Sequence, residues 1–499
     1  MLFTTFDFLV LLAGTTVVYY LFPERYRWSI LLVSSLVFYA FCGIHNAVCL
    51  GATIFTTYAA ARITGVLHNK RESIISSRGE GLPREEKLAI RQKNQNSRRI
   101  CLTICLLMNL GFLAMVKLDG SMIIPLGLSF YTFRAVGYLI DVYRGETEAE
   151  RSLPRFILFC AFFPQMIQGP ISRYKELAPT LFDGNRFDAD NLSEGARRVL
   201  LGFFKKLVIA DRLMPVVRVL IADTHQGADI AVALLLYAVA LYCDFSGGID
   251  IALGSAKMLG VKLPENFKKP FLSISITDFW QRWHITMGTW FRDYLFYPLS
   301  TAKPVRNLSK WMQSHFGNNV GRRVPVYFIT LTVWFATGAW HGISSNYIGW
   351  GLANGIVIVL SLMSESLYKR FHTRFPNAGT RGCYKAFAVV RTFLLMRLIG
   401  AFFLFDDVSS SLQALWSVFT RFRLSDATAL TELMPFEDWV ISGAGVALLI
   451  VLGMQKQDAF TRLKPILRQA AVMLLLLIVL LFGKYGFGFD MDQFVYNRF

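Results

Sequence analysis

The sequence predicts an all-α polytopic membrane protein, and three observations support that prediction. Hydrophobic residues make up 54% of the chain and charged residues only 17%, against roughly 25% charged residues in a soluble domain. Apolar stretches of about 20 residues, the length that a membrane-spanning helix needs, recur along the chain. Lys and Arg fall in short segments between these stretches, where they set membrane orientation rather than form a surface for nucleic acid.

The apolar stretches predict about eleven to thirteen membrane-embedded helices. They lie at about 5–22, 28–43, 46–64, 100–118, 122–143, 154–168, 199–221, 229–243, 324–341, 346–365, 387–405, 437–454 and 470–486. No internal repeat is visible. We therefore expect residues 1–499 to form a single membrane-embedded domain.

Charge predicts the orientation of the chain in the membrane. A loop at 70–99 holds nine Lys or Arg residues against four Glu, so the positive-inside rule places it in the cytoplasm. The linker at 406–438 is acidic and is expected on the outer side.

One stretch departs from the pattern of a simple helical bundle. Residues 244–300 mix Gly, Pro, Asp and Arg with aromatic residues. Irregular backbone at membrane depth is tolerated only where it is buried in protein or lines a wet cavity. This stretch therefore predicts a cavity.

Two histidines are candidate catalytic residues: His284 lies in this stretch, and His341 lies farther along the chain. His341 follows the apolar run 324–340, and an ionisable group inside a membrane is by default a functional hypothesis. The structural alternative, a histidine bonded to a backbone carbonyl, is less favoured because such burial is costly. His284 follows a capping box at 275–278, which predicts one helix to about Tyr297, stopped by Pro298. On that helix His284 shares a face with Trp280. Two interpretations stay open: His284 lines a site, or the helix is interfacial and His284 only hydrogen-bonds a neighbouring residue.

Upstream, Asp244 and Ser246 precede a glycine pair, which predicts the end of an apolar helix. A nucleophile at Ser246 is disfavoured because no nucleophile elbow surrounds it. The sequence has no glycine-rich phosphate loop, H-E-x-x-H or C-x-x-C motif. We therefore predict neither a nucleotide site nor a metal site.

Five motifs follow one another in the chain. They are Asp244-Phe245-Ser246-Gly247, Pro264-Glu265-Asn266-Phe267, Phe279-Trp280-Gln281-Arg282-Trp283-His284, Thr289-Trp290-Phe291-Arg292-Asp293-Tyr294 and Gly338-Ala339-Trp340-His341-Gly342. Together they resemble the membrane-bound O-acyltransferase family, in its bacterial branch of alginate O-acetylation and teichoic-acid D-alanylation membrane proteins. The resemblance is densest over 121–350, the expected catalytic region. Gly248 departs from it, because the branch commonly carries Tyr there.

This resemblance implies a ring of membrane helices around a central funnel. It places His341 and His284 at the positions of the family's two catalytic histidines. A histidine fits that role because its pKa lies near neutrality, as a general base requires. The implied substrate-binding residues are Asn266, Trp283, Trp340, Asp244 and Ser246.

The implied activity moves an acyl group from a cytosolic thioester toward an extracytoplasmic polysaccharide such as alginate, in the bacterial inner membrane. The donor would be acetyl-coenzyme A or an acyl carrier protein thioester, with no bound cofactor. Chain length favours acetyl over D-alanyl. D-alanyl transfer to teichoic acid, and transport of a solute or acyl donor with the histidines as a proton relay, both stay open.

The length of the predicted outer segments gives an expectation about partner proteins. The longest predicted outer segment, 406–438, is about 33 residues long and is too short to bury a polysaccharide groove. We therefore expect a separate extracytoplasmic acetyltransferase or polymer-handling protein beside this one.

Overall fold

A computed structural model describes residues 2–77, 84–118, 123–222, 226–424, 428–454 and 462–485. Within these ranges the regular structure is helical, and the one β pairing is an isolated bridge between Phe267 and Trp283. The prediction of an all-α protein is confirmed.

The described residues form two compact units. Unit 1 comprises Met1–Val199 and Ile251–Pro264, and unit 2 comprises Leu200–Asp250 and Glu265–Phe499. The helices that begin in unit 1 are α1 (Phe6–Leu21), α2 (Arg27–Phe41), α3 (Ile44–Ser77), α4 (Arg84–Leu118), α5 (Leu128–Arg144), α6 (Leu153–Ala161), α7 (Tyr174–Phe182) and α8 (Ala189–Phe203).

Unit 2 contributes the remaining helices. They are α9 (Asp211–Leu220), α10 (Ala228–Met258), α11 (Ile276–Trp280), α12 (Ile285–Phe291), α13 (Tyr297–Thr301), α14 (Lys303–Phe316), α15 (Asn318–His341), α16 (Ser345–Met363), α17 (Glu365–Arg374), α18 (Gly382–Gly400), α19 (Val408–Thr420), α20 (Leu430–Leu433), α21 (Phe436–Met454) and α22 (Pro465–Phe482). Two short π-helices, Phe204–Ala210 and Arg292–Phe296, precede α9 and α13.

Seven helices of the described ranges are long and apolar enough to cross a membrane. They are Ile44–Ile74, Glu85–Leu118, Ala228–Met258, Ser345–Met363, Gly382–Phe403, Phe436–Gly453 and Pro465–Phe482. The prediction of a polytopic membrane protein is confirmed. The count of eleven to thirteen embedded helices, the central funnel and the single domain stay predictions.

A buried polar network organises unit 1 behind α5. The guanidinium of Arg134 donates to Oε1 of Gln165 at 3.1 Å and to the carbonyl oxygen of Cys160 at 2.9 Å. Gln165 donates in turn to Oγ of Ser172 at 2.6 Å. These hydrogen bonds satisfy polar groups of the irregular segment that follows α6. Polar groups of an irregular segment inside a membrane need such partners within the protein.

Two sequence-based expectations about helix ends are wrong. The basic stretch 70–99 is largely helical, because α3 continues to Ser77 and α4 begins at Arg84; its residues 78–83 lie outside the described ranges. The glycine pair after Ser246 does not end a helix, because α10 runs on to Met258. A Cβ on Gly247 would meet the carbonyl oxygen of Gly202 at 2.9 Å, so this glycine serves close packing rather than a turn.

Candidate active site

A cavity in unit 2 brings both histidines together. It holds about 580 Å³ of space that no protein atom fills, part of it open to solvent, and its lining is mostly aromatic and apolar. His284, His341, Trp283 and Arg397 are among the lining residues. Within the described ranges, no group of three His, Cys, Asp or Glu side chains is placed to hold a metal ion.

His341 is the last residue of α15, at the position that the apolar run predicted. Its side chain is 3% exposed. The rings of Trp340, Trp350 and Phe403 lie 4.6, 5.0 and 5.1 Å from its imidazole, measured between centroids. An aromatic wall thus holds the imidazole at the cavity.

The end of α15 depends on a glycine with no room for a side chain. A Cβ on Gly342 would lie 2.4 Å from the ring of Tyr347. Further back, a Cβ on Gly338 would meet the carbonyl oxygen of Tyr347 at 2.5 Å, and one on Gly351 would meet that of Trp334 at 2.4 Å. Small residues allow such close approach between membrane helices. These glycines allow α15 to pack directly against α16, which fixes the position of His341 at the end of α15.

The prediction of one continuous helix through His284 is wrong beyond the first turn of that helix. Its start is confirmed, because Oγ of Ser275 accepts a hydrogen bond from the backbone N–H of Asp278 at 3.1 Å. However, α11 ends at Trp280 and α12 begins only at Ile285. Farther along, the helical path continues past the predicted stop, through α13.

The interruption comes from a neighbouring extended segment. The N–H of Lys268 donates to the carbonyl oxygen of Arg282 at 2.9 Å, and the N–H of Ile285 donates to that of Asn266 at 3.0 Å. Between them, His284 adopts a left-handed backbone with φ of 47°, which costs a non-glycine residue about 1–3 kcal/mol. His284 therefore shares the cavity with Trp280 through this turn and not through helical spacing.

Asn266 fixes the ring of His284. Its side-chain oxygen accepts from the N–H and Oγ of Thr286 at 3.0 and 2.9 Å. Nδ1 of His284 lies 3.2 Å from the amide nitrogen of Asn266 and 3.3 Å from the oxygen. Because two donors already occupy the oxygen, we assign the amide N–H as donor to Nδ1, which places the imidazole proton on Nε2.

His284 is a neutral hydrogen-bond donor in this arrangement. Its side chain is fully buried, and burial lowers its pKa. The imidazole therefore stays uncharged at neutral pH. It presents an N–H group rather than a positive charge.

The two tryptophans of the predicted site occupy different positions. Trp283 is 5% exposed, lines the cavity and stacks on Phe279 at 5.6 Å between ring centroids. Trp340 lies between the histidines, 6.1 Å from the ring of His284 and 4.6 Å from that of His341. Both shape the surroundings of the imidazoles.

Asp244 and Ser246 are not among the residues that line the cavity. Oδ1 of Asp244 accepts from Nζ of Lys206 at 2.8 Å, and Oγ of Ser246 accepts from Nζ of Lys205 at 3.1 Å. Lys205 also pairs with Asp250 at 2.6 Å. The two residues thus belong to a buried ion-pair cluster, and their binding of substrate stays a prediction.

The buried cations that sequence reasoning missed include Lys205, Lys206 and Arg397. All are at most 7% exposed. The signal was present, because each interrupts an apolar run at 199–221 or 387–405, and charged residues within membrane segments mark functional or paired positions.

The sequence was compared with known proteins. Residues 148–405 match the sequence profile of the membrane-bound O-acyltransferase family. The chain is 33% identical over 372 residues to the probable alginate O-acetylase of Pseudomonas syringae pv. tomato, which covers 71% of this chain and 64% of that protein. It is 28% identical over 449 residues to the peptidoglycan O-acetyltransferase of Helicobacter pylori, covering 79% and 73%. It is 30% identical over 262 residues to the teichoic acid D-alanyltransferase of Bacillus subtilis, covering 51% and 63%. The chain thus spans less than two thirds of the length of the alginate O-acetylase and of the teichoic acid D-alanyltransferase.

Proposed function

Because the chain belongs to the membrane-bound O-acyltransferase family, as its motifs predicted, we propose that it transfers an acyl group, with acetyl as the first choice, from a thioester donor to a hydroxyl of a polysaccharide such as alginate. One observation supports this most directly: two buried histidines line one cavity, and Asn266 holds one of them, His284, as a hydrogen-bond donor. The names of the relatives support acetyl over D-alanyl, which remains an arm of the test.

The reaction assigns different roles to the two histidines. The acceptor hydroxyl gives its proton to His341 while its oxygen forms a bond to the carbonyl carbon of the thioester. The C–S bond then breaks, and His341 returns the proton to the departing thiolate, leaving an ester and a free thiol. The N–H of His284 donates to the carbonyl oxygen, where negative charge develops.

The donor is a cytosolic thioester, either acetyl-coenzyme A or an acyl carrier protein thioester, and the protein lies in the bacterial inner membrane. Both donors are anionic, and clustered Lys and Arg at the end of α3 and the start of α4 would attract either one. The acyl group would leave on the outer side, so neither substrate has to cross.

A partner completes the reaction on the outer side. We propose that a separate extracytoplasmic acetyltransferase or polymer-handling protein carries the specificity for the polysaccharide. In its described part, the predicted outer segment 406–438 contains the two short helices α19 and α20 and the start of α21. Inside-out vesicles holding this chain alone should release thiol from acetyl-coenzyme A slowly or not at all, and should acetylate polymer only when the partner is present. Efficient acetylation without the partner would contradict this arrangement.

The central test replaces His341 by Ala in cells whose own copy of the gene is deleted. Losing a general base should lower polymer acetylation by about 10²–10⁴-fold. The matched control is His315→Ala, since His315 is exposed on α14 and should leave acetylation unchanged. Activity of the His341 variant within a few-fold of wild type would refute the role.

Two further arms separate the alternatives. Replacing acetyl-coenzyme A by a D-alanyl carrier protein thioester tests D-alanyl transfer. Solute uptake that continues without any thiol release would indicate a transporter instead.

A further inference from the structure

Arg397, on α18, is the charged residue of the cavity for which the reaction above has no role. It lines the same cavity as His284 and His341 and is 7% exposed. Its guanidinium carbon lies 5.4 Å from the ring of Phe271 and 5.3 Å from that of Phe393.

This cation has no counter-charge among the described residues. No ion pair or hydrogen bond joins its guanidinium to another described side chain or carbonyl, and its Nε is buried without a hydrogen-bond partner. The contacts with these two rings offset only a small part of the cost of burying an unpaired charge. A negatively charged oxygen in the cavity would relieve this cost.

We propose that Arg397 stabilises the oxyanion that forms on the thioester carbonyl during acyl transfer. This rests on the proposed function. The lining of the cavity is mostly aromatic and apolar, which suits the acyl end of a thioester. The N–H of His284 supplies a neutral donor, and the guanidinium of Arg397 supplies the charge.

The balance of the step is that of acyl transfer. When the acceptor oxygen bonds to the carbonyl carbon, the carbonyl π pair moves onto its oxygen, and the guanidinium donates to that oxygen. When the C–S bond breaks, the pair returns and the charge passes to the departing sulfur. The guanidinium itself neither gains nor loses a proton.

The test compares Arg397→Met and Arg397→Lys with the wild-type chain. Arg391→Met is the control, because Arg391 is on the same helix, is not among the residues that line the cavity, and donates to the carbonyl oxygen of Ile274. Thiol release from acetyl-coenzyme A is measured in inside-out vesicles that contain the partner. Loss of an oxyanion donor should lower kcat by about 10²-fold in the Met variant, with KM for the donor nearly unchanged and a smaller loss in the Lys variant.

A binding measurement separates this role from a merely structural one. Purified variants are titrated with a coenzyme A thioether, which mimics the ground state, and with a phosphonate analogue, which mimics the charged tetrahedral state. Arg397→Met should lower the affinity for the phosphonate by about the same factor as it lowers kcat. It should lower the affinity for the thioether only a few-fold at most. Gel filtration and thermal unfolding show whether the variants are folded.

Four results would contradict either this assignment or the proposed reaction. An unchanged kcat, or a rise in KM alone, would overturn the assignment, the second because it indicates binding of a ground-state anion such as a phosphate of the donor. If wild-type protein released no thiol but bound the phosphonate more tightly than the thioether, and Arg397→Met lost that preference, Arg397 would still bind an oxyanion while the proposed acyl transfer would fail. Equal binding of both analogues by wild type would overturn the assignment.

Discussion

Replacing Lys206 by Met should destabilise the protein far more than any surface charge change. Nζ of Lys206 lies 2.8 Å from a carboxylate oxygen of Asp244 and 2.8 Å from one of Asp211, and the lysine is 2% exposed. Removing one partner of a buried ion pair costs about 3–5 kcal/mol, because the remaining charge stays buried without compensation. Here two carboxylates lose the same cation, so we expect the upper part of that range.

Lys369→Met is the matched control. Nζ of Lys369 lies 2.6 Å from a carboxylate oxygen of Glu365, but the lysine side chain is 72% exposed. An exposed pair on a helix contributes little to stability, because water and salt screen both charges. The two variants therefore make the same chemical change at similar distances, but Lys206 is buried and pairs with two carboxylates, whereas Lys369 is exposed and pairs with one.

The assay is the free energy of unfolding in detergent micelles titrated with dodecyl sulphate. Adding Asp244→Asn to Lys206→Met should recover part of the loss, since one of the stranded carboxylates becomes neutral. If Lys206→Met destabilised the chain no more than Lys369→Met, the reasoning from burial would be refuted. If Asp244→Asn alone raised KM without affecting stability, Asp244 would bind substrate, as the sequence predicted.

Three further predictions address the site, the helix packing and the orientation. Asn266→Ala should lower kcat about tenfold and stability by about 1–3 kcal/mol, because buried donors lose their partner; a thioester assay and unfolding curves check both, and unchanged kcat would contradict its positioning role. Gly351→Ala should cost about 1–3 kcal/mol by overpacking, whereas Gly453→Ala, with open space around it, should be neutral or stabilising; equal effects would refute the close-contact argument. An impermeant thiol reagent on intact cells should label a Cys at Ser409 and spare one at Ser76, and the reverse pattern would invert the proposed orientation.

The features that sequence predicted correctly depend on neighbours in the chain. The capping bond at Ser275 forms within one turn, and the end of α15 at His341 follows from its apolar run and the glycine after it. Both need only residues a few positions apart, so local pattern suffices.

The features that sequence missed depend on residues that are distant in the chain. Hydrogen bonds from the segment around Asn266 interrupt the helix at His284, and the nearby carbonyl oxygen of Gly202 explains why a glycine occupies position 247 of a continuing helix. No local preference encodes either contact. Arg397 was visible as a charge in an apolar run, but only the structure places it beside the histidines.

The left-handed backbone of His284 determines how its substitutions must be interpreted. Alanine at this position would keep the unfavourable φ of 47° and would lose the ring that Asn266 holds, so a fall in activity would mix strain with lost chemistry. Asparagine tolerates this conformation better than alanine, and glycine adopts it freely. A comparison of His284→Asn and His284→Gly with His284→Ala would therefore separate the contribution of the imidazole from that of the turn.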